Sequence, residues 1–113
     1  MLEAKEKGII IYIIKHCNRI EEKIVNISKD EFDNNEDLKE IICFNIFQIG
    51  ELAKKLSIDF QIKYNKVPWK DIKGMRDFIG HGYGTMDFDI VWKTATEEIN
   101  ILRDYCEHIL KCE

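Results

Sequence analysis

Apolar side chains in residues 2–27 recur at Ile10, Ile13, Cys17, Ile20, Ile24 and Ile27, alternately three and four apart. That period gathers them on one stripe of an α-helix and predicts an amphipathic helix with a bundle-like seam. Ile9, Ile11 and Ile14 widen the stripe, so contact with more than one neighbour is expected. Ser28 and Glu31 stand in the S-x-x-E spacing of a capping box. A short second helix is therefore expected, broken at Asn34-Asn35. Residues 36–57 form the next long helix, with Leu38, Ile41, Ile42, Asn45, Ile49, Leu52 and Leu56 along one side. Asn45 on that seam predicts a buried amide whose hydrogen bonds are made. Residues 58–67 carry a weak pattern, a turn or a short helix. Pro68, the one proline, is expected at the first position of a helix continued by Trp69, Ile72, Met75 or Arg76, and Ile79. Past Thr85-Met86, Asp87 or Asp89 caps a final helix to about Lys111, lined by Phe88, Trp92, Ala95, Ile99, Leu102, Cys106 and Ile109. With no strand-like alternation anywhere, the predicted fold is all-α. It is an antiparallel up-and-down bundle of three long helices, one central helix and short connectors.

Composition narrows the classes. A chain of 113 residues, 45% hydrophobic and 34% charged, reads as one soluble domain spanning 1–113, with a core large enough to fold without staples. The net charge of -4 excludes a general polycation, so any nucleic-acid contact has to be local. Cys17, Cys43, Cys106 and Cys112 show no C-x-x-C spacing and no His at a zinc-type interval from a pair of them, so neither metal nor cofactor is expected. Three of them fall within apolar helical patterns, which points to reduced thiols in a cytoplasmic protein. The apolar run 8–14 is too short to span a bilayer.

Candidate chemistry concentrates in residues 74–84, which hold four of the six glycines together with Arg76, Asp77, His81 and Tyr83. Glycine inside a helix costs about 1 kcal/mol relative to alanine, so this density implies a need for backbone freedom or close approach. The last turns of a helix are expected at 75–80 with His81 at its end, and Gly82 and Gly84 as the stop. Asp77 and His81 are i,i+4 neighbours, a spacing at which a carboxylate orients an imidazole. Arg76 lies about 140° away from His81 around the same helix. Either the helix end distorts to join them, or a second copy of the chain supplies the missing partner. His16, beside Lys15, and His108, among the charges of the last helix, are read as solvated.

For an arbitrary Arg and His at this interval, a surface Arg and a helix-capping His would be the plain reading. The glycine setting and the Asp-oriented His favour phosphodiester cleavage. Imidazole transfers protons near neutral pH, and the guanidinium fork suits a phosphate gaining charge. In RNA the 2′-hydroxyl is an internal nucleophile. One imidazole takes its proton and a second protonates the leaving 5′-oxygen, both supplied by two copies across a twofold axis.

Arg76-Asp77-Phe78-Ile79-Gly80-His81 resembles the R-x4-H signature of the HEPN superfamily, and His81-Gly82-Tyr83 extends it to the R-x4-H-x-Y form of the HepT-like toxins. Ile49-Gly50-Glu51, Val67-Pro68-Trp69, Gly74-Met75-Arg76 and Val91-Trp92 agree as well, so the resemblance runs over nearly the whole chain. It implies an all-helical homodimer whose motifs meet at a cleft between subunits, acting as a metal-independent ribonuclease toxin on RNA. Its implied partner is an MNT-class nucleotidyltransferase antitoxin that transfers AMP onto the motif tyrosine. On this chain the catalytic pair is then Arg76 and His81, with Asp77 in support and Tyr83 as the AMP acceptor. Lys66, Lys70 and Lys73 are the local candidates for RNA contact. Glu51 receives no role. The competing expectation is a catalytically silent HEPN scaffold that binds a nucleotidyltransferase or a nucleotide.

Overall fold

The first helix, α1, covers Ala4–Ile24 and buries Ile9, Ile10, Ile13, Cys17, Ile20 and Ile24, the expected stripe. It ends where Val25 turns extended and Asn26 takes a left-handed φ of 64°, a conformation asparagine tolerates. The capping box forms as predicted. Glu31 N donates to Ser28 Oγ at 3.1 Å and Ser28 N donates to Glu31 Oε1 at 3.3 Å, opening the short α2, Lys29–Asp33. Asn35 then accepts from Leu38 N and starts α3, Glu36–Lys54. Ser57 caps α4, Ile58–Lys63, through Phe60 N. After Pro68 comes α5, Trp69–Gly82. Asp87 caps α6, Phe88–Lys93, which continues through a π-helical segment, Thr94–Glu98, into α7, Ile99–Cys112. The computed structural model describes residues 3–82 and 86–112; within α5, the side chains at 76–78 and 80–82 lie outside that description.

Cross-contacts establish an antiparallel bundle. Glu6, at the start of α1, accepts from Ser57 past the end of α3, while mid-helix His16 meets mid-helix Asn45. Arg103 near the start of α7 reaches Asn18 and Glu21 in the second half of α1. Met86, after α5, meets Cys43 in the first half of α3. Helix α3 packs along both α1 and α5, and α1 also packs along α7. This is the all-α up-and-down architecture expected from periodicity, and the described residues contain no strand.

The central position of α3 corrects its predicted seam. A helix gripped from two sides buries two stripes, so Cys43, Ile46 and Ala53 join Leu38, Ile42, Asn45 and Ile49 in the core, whereas Ile41 stays 38% exposed. Pro68 stands one position earlier than expected: its carbonyl accepts from Ile72 N, which makes it the N-cap. The final helix is not regular throughout. Thr96 Oγ1 donates back to the Trp92 carbonyl at 2.8 Å and Asn100 Nδ2 to the Thr96 carbonyl at 3.1 Å. Such side-chain bonds compete with the i→i−4 ladder, and the turn widens to π geometry here.

Phe32 has 0% exposure and joins α2 to α6, its ring 6.4 Å from Phe88 and 5.2 Å from Trp92. Lys29 reinforces the junction through Asp33 and Asp89 at 2.8 and 2.6 Å. Phe32→Ala is expected to cost about 3–5 kcal/mol, the usual range for emptying a buried phenyl site. Urea denaturation followed by circular dichroism measures it; a loss below 1 kcal/mol would show that the α2–α6 junction collapses without penalty.

Candidate functional site

Helix α5 carries the motif. It is held from below by Trp69 and Ile72, both buried, then by half-buried Met75 and buried Ile79. The Trp69 indole donates Nε1–H to the Tyr64 carbonyl at 3.0 Å, fixing the loop that leads into the helix. On this face the expected 3.6-residue pattern holds. Gly74 differs from expectation: a Cβ there would meet nothing within 4 Å, so this glycine serves no close approach.

The backbone stays α-helical without a break through Gly82. Gly82 therefore belongs to the helix, where the pattern placed it just beyond the end. Arg76 and His81 stand on a regular helix five residues apart, about 140° round its axis. Of the two alternatives for joining them, distortion of the backbone between 76 and 81 is absent. Asp77 and His81 keep their i,i+4 register on the same helix. The side chains of Arg76, Asp77 and His81 lie outside the described residues, as do Tyr83 and Gly84 altogether. The chain is described again from Met86, which is buried and accepts a hydrogen bond from the Cys43 thiol at 3.6 Å. The motif segment is thus bounded by the end of α5 on one side and an anchor on α3 on the other.

One flank of α5 faces α6, the π segment and α7 across a groove. Near the motif it is a cleft of about 210 Å³ between Met75 and Ile79 on one wall and Val91, Thr94 and Glu98 on the other. A second recess of about 200 Å³ continues past Ile72 and Leu102 to Tyr105. The π segment shapes this wall: buried Thr94 donates its hydroxyl to Glu98 Oε2 at 3.3 Å. A larger cavity, about 490 Å³, lies at the other end of α5, beside the loop that precedes its first turn.

The three candidate lysines have different surroundings. Lys66 and Lys70 are exposed, Lys66 on the wall of the 490 Å³ cavity. Lys73 is half-buried and donates to Gln61 Oε1 at 2.9 Å. Glu51 is half-buried on α3, next to buried Gly50.

His16 corrects the sequence reading. It is half-buried rather than solvated, with Nδ1 at 2.8 Å from Asn45 Oδ1. Asn45 Nδ2 donates to the Ile41 carbonyl, which leaves Oδ1 as the acceptor and assigns the proton to His16 Nδ1. The expected buried amide is satisfied, by a partner 29 residues away that no local pattern indicates. His108 is exposed, within 3.3 Å of the Cys112 thiol.

Burial accounts for the thiols. Desolvation pushes Cys17 up to about 12 and Cys43 to about 11, and raises Cys106 as well, so none is a ready nucleophile. Unfolding frees Cys17 to ionise near its ordinary 9.0, so the stability held in that buried thiol is full below that pH and is lost as pH climbs towards 12. Among the described residues no group of His, Cys, Asp and Glu is arranged to hold a metal ion, and no helix is long and apolar enough to cross a membrane.

The family model of the HepT-like ribonucleases matches residues 13–109, which include the whole R-x4-H-x-Y stretch. The chain is 34% identical over 102 residues to the Caldanaerobacter subterraneus protein named "Putative RNase TTE0752", covering 90% of this chain and 91% of that one. It is 33% identical over 105 residues to "Putative RNase MJ1216" of Methanocaldococcus jannaschii, covering 93% and 87%. It is 35% identical over 110 residues to "Probable ribonuclease HepT" of Thermococcus cleftensis, covering 97% and 100%. No solved structure matches the chain. An all-helical bundle with R-x4-H in the last turns of its fifth helix, matched over most of its length, belongs to the HepT-like ribonuclease family.

Proposed function

We propose that this protein is a metal-independent ribonuclease toxin whose active site is shared by two copies of the chain and silenced by AMP transfer onto Tyr83. The observation that carries the reading is Arg76-x4-His81 on one unbroken helix in a chain of the HepT-like family. A regular helix keeps Arg76 and His81 about 140° apart, which favours completion of the site by a second copy related by a twofold axis.

In this reaction His81 of one copy removes the 2′-hydroxyl proton. The freed oxygen attacks the adjacent phosphorus, forming the O2′–P bond as the P–O5′ bond breaks. The protonated His81 of the second copy gives its proton to the departing 5′-oxygen, leaving a 2′,3′-cyclic phosphate and a 5′-hydroxyl. Arg76 holds the non-bridging oxygens as they gain charge, and Asp77 orients the His81 ring. Lys70 and His81 are eleven residues apart, about 20° apart in register. A strand crossing Lys66, Lys70 and Lys73 would therefore be led along α5 towards the imidazole. An MNT-class nucleotidyltransferase is the partner that would modify Tyr83.

The test is cleavage of single-stranded RNA by the purified chain in EDTA, with products carrying cyclic phosphate ends. Sedimentation at micromolar concentration is expected to give a dimer; a monomer that cleaves at full rate would discard the shared site. The net charge of -4 favours the other reading, a silent scaffold that binds a nucleotidyltransferase or a nucleotide. Wild-type protein that leaves RNA intact, like its Arg76→Ala and His81→Ala variants, would select it.

A further inference from the structure

We propose that the cavity at the N-terminal end of α5 is a base-binding subsite for single-stranded RNA, holding a nucleotide several positions from the cleaved phosphate. The inference rests on the ribonuclease reading and adds where the substrate is gripped. At about 490 Å³ the cavity falls within the range of about 300–1,000 Å³ typical of ligand sites. It is larger than either recess along α5, and lies at the opposite end of that helix from His81.

Its chemistry suits a nucleobase. Tyr105, half-buried on α7, offers an aromatic wall, with Val67 and Ile101 as apolar neighbours. Asn65 and Asp104 offer hydrogen-bonding groups for the polar edge of a base. The opposite wall is rigid. The Tyr64 ring packs against Phe60 at 4.8 Å, Lys63 Nζ lies 5.2 Å from the Tyr64 ring centroid, and the Tyr64 carbonyl accepts from both Trp69 Nε1 and Val67 N. A wall set in this way loses little freedom on binding.

Charge selects the occupant. The molecule is acidic, yet beside Asp104 this cavity is lined by two exposed cations, Lys63 and Lys66. An apolar peptide has no use for those cations, whereas the phosphate beside a stacked base does. Lys66 is also the first of the lysines that lead along α5. From Lys70 to His81 the helix rises about 17 Å, so a strand that fills the cavity and reaches the imidazole spans several nucleotides. Aromatic stacking tolerates any base, so the subsite is expected to grip length rather than sequence.

The experiment measures anisotropy with labelled 2′-O-methyl oligonucleotides, which lack the nucleophile and stay intact. A ten-nucleotide strand is expected to bind wild-type protein more tightly than a three-nucleotide strand. In Tyr105→Ala that advantage is expected to shrink about five- to 150-fold, the range for losing one stacked base, while Tyr105→Phe retains it. Undiminished length advantage in Tyr105→Ala overturns the subsite, as does equal binding of both strands by wild type. A change of oligomeric state in Tyr105→Ala, seen by sedimentation, overturns it in favour of a protein–protein contact. Length-dependent binding that needs Tyr105, in a protein that cleaves no RNA, upholds the subsite and removes only the nuclease reading.

Discussion

His81→Ala is expected to lower the rate of RNA cleavage about 10²–10⁴-fold, the contribution of a positioned general acid or base. Arg76→Ala is expected to lower it about 10²–10³-fold, as for the loss of one preorganised group aimed at developing charge. Both residues sit on the exit turns of α5, past the buried Trp69 and Ile72 that anchor the helix. Unfolding curves close to wild type would separate lost chemistry from lost structure. A further result follows from the shared site. If one His81 accepts the proton and its twofold mate donates one, a dimer with a single His81→Ala subunit is inactive. After subunit exchange in an equal mixture of wild type and His81→Ala, activity is expected to fall to about one quarter of that of the same total of wild type. A fall to about one half would mean each subunit works alone, and the two-imidazole mechanism would be abandoned.

Tyr83→Phe is expected to stay active and unmodified where the wild type is silenced. With an MNT-class nucleotidyltransferase, ATP and magnesium, wild-type protein should gain the mass of one or more AMP units and stop cleaving RNA. In that transfer the phenol oxygen would be the acceptor: its bond to the α-phosphorus would form as pyrophosphate leaves and the phenol proton passes to a base. Tyr83 stands two residues from His81, between Gly82 and Gly84. A nucleotide attached there brings bulk and phosphate charge beside a site that must receive a polyanion, so sterics and like-charge repulsion both exclude RNA. Removing the hydroxyl alone takes no proton-transfer group from the reaction, and cleavage should be largely retained. A Tyr83→Phe protein that is still modified and silenced would place the switch on another residue.

Periodicity and local capping chemistry alone determined most of the elements of this protein. Ile10 to Ile24 could share a stripe only on a helix, and Ser28 with Glu31 needed no distant partner to form their box. The R-x4-H-x-Y stretch was equally legible, because a motif is a spacing along the chain. Contacts between elements were decided only by the tertiary structure. Ile41 and Ile46 are alike in hydrophobicity, and the first is exposed while the second is buried, because α1 and α5 grip α3 from two directions. His16 looked solvated beside Lys15 until the bundle brought Asn45 of α3 against it. In the π segment the Thr96 hydroxyl bonds the Trp92 carbonyl rather than solvent, a competition settled by packing. The cavity beside Lys66 is walled by a loop and a helix some forty residues apart, so it exists only once the loop before α5 lies against α7. Side-chain period and capping act over three or four residues and can be read along a chain; burial, polar pairing and cavities depend on which surfaces meet.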